Sequence, residues 1–173
     1  VSDVVNMAQM FQNASNFNGN ISTWDVSSVT NMASMFAGAT AFDQDLSNWD
    51  VSKVTNMDSM FQGATIFNSN ISNWNVSNVI SMNHMFAGAD SFNQNLSNWN
   101  VSSATLMYGI FENCYAFTGE GLENWDVSNV EGGSTMFKAA TSFNADISGW
   151  NVSSMTSMAY MFKANHVFNQ DIS

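Results

Sequence analysis

Apolar and polar positions recur along the chain with a period of 25 residues. Tryptophan marks the period most clearly, because the six tryptophans are spaced 25, 25, 25, 26 and 25 positions apart. Each is followed by Asp or Asn, then Val, then Ser. The tryptophans are Trp24, Trp49, Trp74, Trp99, Trp125 and Trp150. Internal repetition takes precedence over chain length as a guide to architecture.

We expect one repeat array over residues 1–173, with rows that begin near residues 1, 25, 50, 75, 100, 126 and 151. The first row starts at the Val and Ser positions, and the last row stops just before its tryptophan position. Neither end carries the polar capping unit that stacked repeats normally need. We therefore expect the chain to be an excerpt of a longer array.

Apolar residues within a row predict a short helix. Their spacings of three and four positions are typical of one helical face. In the second row Ser27 or Thr30 is suited to the N-cap and Gly38 to a left-handed end, which predicts a helix or helical turn over about residues 30–37. The apolar residues are Val26, Val29, Met32, Met35, Phe36 and Ala39.

The next segment of the row predicts a short strand. Phe42, Leu46 and Trp49 are separated by polar residues, and this pattern favours a strand around residues 45–47. One such strand in each row would stack into a parallel sheet. The predicted fold is therefore an α/β solenoid, a leucine-rich-repeat-like stack of about seven coils with one short parallel strand and one short helix or helical turn per coil.

Phenylalanine and methionine predict the core of this stack. All 14 Phe fall into two columns of the repeat, which contain for example Phe36 and Phe42, and most Met fall into two further columns. Thioethers bind soft metals, so a metal or cofactor stripe is one interpretation. We favour packing, because Met fills irregular gaps between aromatic rings. We predict neither a metal site nor a cofactor.

Asparagine and aspartate form columns as well, such as the one that contains Asn18 and Asp43. Their side chains bond nearby backbone groups in turns, and equivalent side chains stack as ladders. Calcium binding is the alternative, since oxygen-rich acidic loops hold hard cations. Several rows carry Asn where a strong calcium site requires Asp, which favours the structural interpretation.

Charge and hydropathy exclude two classes of partner. The chain has 3 Lys, no Arg and a net charge of −11. Nucleic-acid binding is not expected, because neutralising phosphates requires a basic surface. No apolar run approaches the roughly 20 residues needed to span a bilayer, so this segment is not expected to insert into a membrane.

The fifth row departs most from the pattern and is the candidate binding site. Tyr108 and Tyr115 occupy columns that are otherwise polar or small, and the insertion lies in residues 118–122. Exposed aromatic side chains anchor proteins or stack on sugars. The candidate binding residues are Tyr108, Tyr115, Thr118, Glu120 and Glu131. Neutral drift in a tolerated insertion is the alternative explanation.

Catalytic residues are not assigned. His84 and His166 occupy different columns in distant rows and are interpreted as surface substitutions. Cys114 stands in a column of small residues, which predicts a buried and inert thiol. The sequence contains no nucleophile elbow, paired-histidine metal motif or phosphate loop, so we predict that the protein is not an enzyme.

The row pattern W-D/N-V-S-x-V-T-N-M-x-x-M-F-x-G-A-x-x-F-N-x-D/N-I/L-S-x resembles BspA-like leucine-rich-repeat surface proteins. It is most similar to the 25- to 26-residue surface protein repeat of mycoplasma lipoproteins and Gram-positive cell-wall proteins. The resemblance covers the whole chain and implies an extracellular solenoid at the cell surface. Here Phe replaces the first Leu that this family often has in its strand, so the coil shape is expected to differ.

The function expected from these features is a non-enzymatic surface or filament-forming module in adhesion or scaffolding. Its expected partners are proteins or glycans on host or neighbouring cells, or copies of itself. A specific glycan- or protein-binding module that uses the fifth row is the alternative. Calcium-dependent and ice-binding solenoids are minor alternatives, and the threonine column that suggests ice binding is interrupted by Ile80 and Glu131.

Overall fold

The computed structural model describes residues 1–172, in which successive rows lie against one another. Backbone hydrogen bonds join neighbouring rows at equivalent positions. The Thr30 N–H donates to the Val5 carbonyl at 2.8 Å, and the Thr55 N–H donates to the Thr30 carbonyl at 2.9 Å. One isolated parallel bridge marks each row boundary: Asn6 with Asn31, Asn31 with Asn56, Asn56 with Ser81, Ser81 with Leu106, Leu106 with Gly132, and Gly132 with Ser157.

The predicted α/β solenoid is wrong. Across residues 1–172 the regular structure consists of one 3-10 helix, Leu122–Asn124, and the isolated bridges, without an α-helix, an extended strand or a sheet. Both predicted elements, the helix at 30–37 and the strand at 45–47, are replaced by turns and irregular backbone. No helix of the described residues is both long enough and apolar enough to cross a membrane.

Turns explain the spacing that suggested a helix. The Val29 N–H donates to the Val26 carbonyl at 2.9 Å, and the Met35 N–H donates to the Met32 carbonyl at 3.1 Å. Each bond closes a four-residue turn whose first and fourth residues are apolar. Ser34 has a left-handed φ of 55°, which interrupts right-handed helical geometry. A spacing of three therefore marks successive turns in this chain.

The strand predicted at residues 45–47 is also replaced by a turn. The Ser47 N–H donates to Oδ1 of Asp45 at 2.9 Å, so the side chain of Asp45 closes a local turn. Pairing between rows occurs instead in the column of Asn31, one residue per row. The bonds between rows that follow, such as the one from the Ser34 N–H to the Asp58 carbonyl at 2.7 Å, lie in turns, so a leucine-rich-repeat-like sheet does not extend from the bridge.

The predicted core of Phe and Met columns is confirmed. Phe36, Phe61 and Phe86 are fully buried, and their rings stack between rows at centroid distances of 5.6 and 5.7 Å. Within a row, Phe36 stacks on Phe42 at 4.0 Å. Burying such a side chain contributes about 1.5–3 kcal/mol. One hydrophobic cluster runs from Met7 to Met161, so neighbouring rows cover each other's apolar side.

The tryptophans connect each row to the row before it. From Trp49 onward the rings are buried beside the Phe columns, and each indole N–H donates to a backbone carbonyl of the preceding row. These bonds run from Trp49 to Ile21 at 3.2 Å, Trp74 to Leu46 at 3.0 Å, Trp99 to Ile71 at 3.0 Å, Trp125 to Leu96 at 3.3 Å and Trp150 to Leu122 at 2.9 Å. A buried indole N–H requires such an acceptor.

Candidate functional site

In the regular rows, an asparagine satisfies the backbone at each bridge. Asn31 Oδ1 accepts the Ala33 N–H at 2.9 Å, and Asn56 Oδ1 accepts the Asp58 N–H at 2.8 Å. Each of these asparagine side chains thus accepts a hydrogen bond from the backbone N–H two residues further on in its own row. These bonds matter because a partly buried N–H without a partner is destabilising.

The fourth and fifth rows lack this asparagine and take the acceptor from the preceding row. Ser81 stands in the asparagine column, and Oδ1 of Asp58 accepts both the Asn83 N–H at 2.7 Å and the Ser81 hydroxyl at 2.5 Å. Leu106 stands there next, and Asn83 Oδ1 accepts the Tyr108 N–H at 2.9 Å. Side chains from one row therefore complete the turn of the next.

Tyr108 extends the same series of contacts into the sixth row. Its ring lies against Gly132, where an added Cβ would come within 2.3 Å of the Tyr108 ring. Gly132 thus provides the space that the ring occupies. Tyr108 is half-buried, so one part of it packs on the neighbouring row while the remainder faces solvent.

An imidazole, a carboxylate and an ammonium group lie beside these contacts. Nδ1 of His84 is 3.8 Å from Oε2 of Glu112, and Nζ of Lys138 is 2.6 Å from Oε1 of Glu112. Gly109 makes room for His84, since a Cβ at that position would lie 2.5 Å from Nδ1. The Glu112 side chain is 16% exposed, less than half as exposed as either partner, which strengthens its interaction with Lys138.

We call these residues the polar seam: Asp58, Asn83, His84, Tyr108, Glu112 and Lys138. It crosses four consecutive rows. The seam does not follow from comparing residues within one column, because His84 and Glu112 stand in different columns, 28 positions apart, one row plus three residues. One signal for the seam is present in the sequence. Asp58 and Asn83 stand in a column that holds Ala in the first two rows, and each lies in the row before one that lacks the asparagine.

The polar seam offers hydrogen-bonding and charged groups to a polar partner. No group of three or more His, Cys, Asp or Glu residues suited to holding a metal ion occurs within residues 1–172. The side chains of His84 and Lys138 are 39% and 34% exposed and are the accessible members, whereas Glu112 is the more enclosed member. The arrangement is suited to contact with a ligand or protein surface.

The five residues predicted as a binding site fall into two groups. Tyr108 belongs to the polar seam, and the exposed Glu131 directly precedes the glycine against which Tyr108 packs. Thr118 donates its N–H and its hydroxyl to Asn93 Oδ1, both at 3.0 Å. Glu120 accepts a bond from Nδ2 of Asn95 at 2.6 Å. Tyr115 has 47% of its surface exposed.

The inserted segment packs tightly against the neighbouring rows. Gly121 has a φ of 95°, and a Cβ there would lie 2.2 Å from the Ser97 nitrogen. The 3-10 helix Leu122–Asn124 follows at once and buries Leu122 completely. Trp125 then stacks parallel on Trp99 at 6.3 Å. The extra residue is absorbed locally, and the core columns continue in register.

The predicted ladder of Asn and Asp side chains is confirmed. Oδ1 of Asn18 accepts the Asp43 N–H at 3.0 Å, Asp43 accepts the Asn68 N–H at 2.9 Å, and Asn68 accepts the Asn93 N–H at 2.9 Å. Each side-chain oxygen therefore bonds the backbone of the next row. These oxygens serve the stacking of rows.

Local hydrogen bonds also shift the acidity of several aspartates. The Ser128 hydroxyl and backbone N–H lower the pKa of Asp126, and the Ser47 hydroxyl and N–H do the same to the pKa of Asp45. Asp25, Asp50 and Asp146 follow the same pattern with the serine two residues on. Ionised aspartate is therefore the form that these turns favour.

Cys114 is fully buried, as the small-residue column predicted. Its Sγ lies 2.7 Å from the Phe86 carbonyl, to which the thiol donates. Burial raises the pKa of the thiol, which keeps it protonated at neutral pH. Because the thiolate is the reactive form, Cys114 has a packing role.

A family model described as "Mycoplasma protein of unknown function, DUF285" matches residues 1–95, 44–132 and 106–173. The three overlapping matches cover the whole chain. The chain belongs to the DUF285 family. Three matches within one chain also confirm that it is a repeat protein. None of the curated proteins matches it.

Membership of the DUF285 family fits the row pattern but is a coarser statement than the resemblance drawn from the sequence. The matches support a repeat-containing mycoplasma family, and they do not establish identity with BspA-like leucine-rich-repeat proteins. That narrower relationship stays a prediction.

Proposed function

We propose that the protein is a non-enzymatic extracellular module that acts at the cell surface in adhesion or as a structural scaffold. The observation that carries the proposal is the single hydrophobic cluster from Met7 to Met161, which joins all seven rows. Because each row is held by the same contacts as the next, the fold holds its exterior side chains at regular intervals.

The exterior of the stack supports this proposal. It consists mainly of Ser, Thr, Asn and Asp, with a net charge of −11 that disfavours nucleic acid as a partner. The resemblance to BspA-like surface proteins supports an extracellular location. Proteins or glycans on host or neighbouring cells, and copies of the protein itself, are the partners that we propose.

Bead retention tests adhesion directly. Beads coated with the 173-residue chain, and beads coated with the same chain irreversibly unfolded, are passed over an epithelial cell layer at equal surface density. The unfolded coating is the matched control because its composition and charge are the same. Retention of the folded coating alone supports adhesion. Equal retention, together with a chain that stays monomeric at all concentrations, contradicts both the adhesive and the scaffold roles.

A specific binding module that uses the irregular fifth row is the second candidate function. Tyr115 favours it because 47% of its surface is exposed in a column otherwise filled by Ser, Thr, Asp and His. Exposed tyrosine stacks on sugars and anchors protein contacts. The neighbouring Thr118 and Glu120 are held by the fourth row, so the surface around Tyr115 is fixed before a partner arrives.

Replacing one exposed tyrosine at a time tests this candidate. Tyr115→Ala is compared with Tyr160→Ala, because Tyr160 is 64% exposed but lies in the seventh row. Binding to an array of glycans is the readout. Loss of signal in Tyr115→Ala with retention in Tyr160→Ala supports the fifth row as the binding site. Equal signals in both variants contradict it.

The minor alternatives receive less support from the geometry. The hydroxyls of Thr55 and Thr156 donate to carbonyls of the preceding row at 3.2 and 3.1 Å, which orients them toward the backbone and away from ice. Oxygens of the Asn and Asp ladder likewise accept backbone N–H groups of the next row, which gives them a role in stacking the rows. A thermal-hysteresis measurement tests ice binding, and a calcium titration tests calcium binding.

A further inference from the structure

One asparagine of the Asn and Asp ladder is followed by glycine. Asn18 precedes Gly19, and this is the one Asn-Gly pair in the sequence. Glycine lacks a Cβ and restricts the backbone least, so the peptide nitrogen after Asn18 is less shielded than its equivalents in other rows. The other asparagines of the column are followed by residues with side chains: Asn68 by Ser69, Asn93 by Gln94, Asn144 by Ala145 and Asn169 by Gln170.

The peptide nitrogen of Gly19 is free to react. Within residues 1–172 no acceptor bonds the Gly19 N–H, and the same is true of the Ser69 N–H two rows further on. The three atoms nearest to a Cβ added at Gly19 all belong to the Phe17 ring, the closest at 3.1 Å. Because Ser69 lies inside the array, the free N–H belongs to this position of the row and not to the first row alone.

The side-chain carbonyl of Asn18 accepts two hydrogen bonds from the second row. Its Oδ1 accepts the Asp43 N–H at 3.0 Å and Nε2 of Gln44 at 2.9 Å. When a nucleophile adds to Cγ, this oxygen takes up the negative charge. Two donors already in place at such an oxygen stabilise the charge as it develops. The bonds that hold the ladder together therefore also activate the amide of Asn18 towards attack.

We propose that Asn18 is a site of spontaneous deamidation, at which the chain modifies itself with water as the co-reactant. The Gly19 nitrogen loses its proton to solvent and bonds to Cγ of Asn18, the Cγ–Nδ2 bond breaks, and ammonia leaves with a proton from water. The product is a cyclic succinimide. Water then opens the ring at either carbonyl and gives aspartate or isoaspartate, without a change in oxidation state. The inference goes beyond the proposed function and does not depend on it.

The two products differ in their effect on the ladder. Aspartate fits it, because Asp43 stands in the same column and accepts the Asn68 N–H at 2.9 Å. Isoaspartate carries the chain through the former side chain, which lengthens the backbone by a methylene group and displaces the carboxylate. We expect the isoaspartate form to lose the bonds from Asp43 and Gln44, while both forms gain one negative charge. The contact between the first two rows therefore changes as the protein ages.

Peptide mass spectrometry of the ageing chain tests the proposal. The 173-residue chain is incubated in mildly alkaline buffer, and conversion of each asparagine is followed with aspartate and isoaspartate separated. Asn68 is the internal control, since its Oδ1 also accepts a backbone N–H, from Asn93 at 2.9 Å, and a glutamine Nε2, from Gln94 at 2.8 Å. We expect Asn18 to convert about tenfold faster than Asn68, a barrier difference of about 1.4 kcal/mol. Equal rates, or no conversion at Asn18, overturn the proposal.

Exchanging the residues that follow the two asparagines provides matched variants. Gly19→Ser gives Asn18 the neighbour that Asn68 has, and Ser69→Gly does the reverse. Neither position has a left-handed φ, so the backbone accepts both changes. We expect the first variant to slow conversion of Asn18 about tenfold and the second to speed conversion of Asn68 by a similar factor. Rates that do not follow the glycine contradict the proposal. If Gly19→Ser disturbs the Phe17 ring, Ser69→Gly in the interior decides the outcome.

Gln44→Ala tests the contribution of the second row. It removes one of the two donors to Oδ1 of Asn18 and leaves the Asn-Gly pair intact. We expect conversion of Asn18 to slow about two- to tenfold, as the loss of one hydrogen bond to the developing charge implies. A donor that only restrained the side chain would have the opposite effect on removal. Unchanged or faster conversion therefore contradicts activation of the amide by the ladder.

Discussion

Rows two and three and rows four and five share one core but differ in how the backbone at their surfaces is hydrogen-bonded. In the regular rows, asparagines close turns within their own row, as Asn31 does for Ala33. In the irregular rows that acceptor is lost, and Asn83 from the row before bonds the Tyr108 N–H. Phe61 and Phe111, which represent the two regions, are nevertheless both fully buried.

Core positions and polar positions of the row tolerate change differently. A core column faces its equivalents in the rows on both sides, so a change there removes contacts to two neighbours. A polar position needs only that each partly buried donor finds an acceptor, and the acceptor is able to come from the adjacent row. A change at a polar position is therefore tolerated where the adjacent row supplies the acceptor, as Asn83 does for Tyr108.

Truncating the core ring is expected to have the largest effect, and one of equal size in both regions. Phe61→Ala and Phe111→Ala each remove a fully buried ring that stacks on rings in both neighbouring rows. Each is expected to lower the free energy of unfolding by about 3–5 kcal/mol. Urea denaturation measures both. A loss below about 1 kcal/mol in Phe111→Ala alone would show that the irregular rows are packed differently.

A methyl group added to the insertion should distinguish the two regions. Gly121→Ala places a Cβ 2.2 Å from the Ser97 nitrogen at a φ of 95°, whereas the nearest atom to a Cβ at Gly63 is 3.8 Å away. We expect a loss of about 2–4 kcal/mol for Gly121→Ala from strain and overpacking, and about 1–2 kcal/mol for Gly63→Ala from strain alone. Thermal unfolding of both variants provides the comparison, and equal losses would contradict close packing of the insertion.

A double-mutant cycle tests whether Asn83 replaces the asparagine that the fifth row lacks as the acceptor for the Tyr108 N–H. Asn83→Ala leaves the Tyr108 N–H without its acceptor and is expected to destabilise by about 1–3 kcal/mol. Leu106→Asn restores the asparagine column in the fifth row and should recover about 1 kcal/mol of that loss. Denaturant midpoints of the wild type, both single variants and the double variant give the coupling energy. Strictly additive effects would show that the two positions do not share the donor.

The pH response of one aspartate should be the smallest effect. The pKa of Asp126 is lowered by its bonds from Ser128, so its stabilising contribution is present above the unfolded-state pKa of about 3.9 and is lost as pH falls through the folded-state value. Asp126→Asn should therefore differ from the wild type more at pH 7 than at pH 3.

Asn100→Asp is the matched control, since it introduces the carboxylate at the equivalent position of the preceding row, where Ser102 donates to residue 100. It should gain stability at pH 7 and lose the gain at pH 3. Thermal midpoints at the two pH values test both variants. A change of opposite sign in either variant would contradict the assigned cause of the lowered pKa.

The core was predictable from the sequence because stacking places equivalent residues together whatever the backbone does between them. Recurrence alone predicts the columns of Phe36 and Met35 as interior, and both residues are fully buried. The ladder of Asn18, Asp43 and Asn68 followed from the same reasoning. Both predictions required only that rows stack in register.

Backbone geometry was not predictable in this way, because a spacing of three residues fits a helical face and a series of turns equally well. The left-handed φ of Ser34 is compatible with turns and not with a right-handed helix, and a serine in the sequence does not indicate that conformation. The alternation of apolar and polar residues around 45–47 likewise fits both a strand and a turn, and the side chain of Asp45 forms the turn. The polar seam was missed because His84 and Glu112 meet across columns, and column comparison does not detect such pairs.

Cysteine cross-linking between rows tests the stacking most directly. Asn48, Asn73 and Asn98 are exposed residues of one column, and rows about 4.8 Å apart place neighbouring members within disulfide range but second neighbours beyond about 7 Å. In a Cys114→Ala background, the pairs Asn48→Cys with Asn73→Cys and Asn73→Cys with Asn98→Cys should oxidise rapidly. The pair Asn48→Cys with Asn98→Cys should stay reduced. Rapid oxidation of that last pair, or none in the adjacent pairs, would contradict stacking in register.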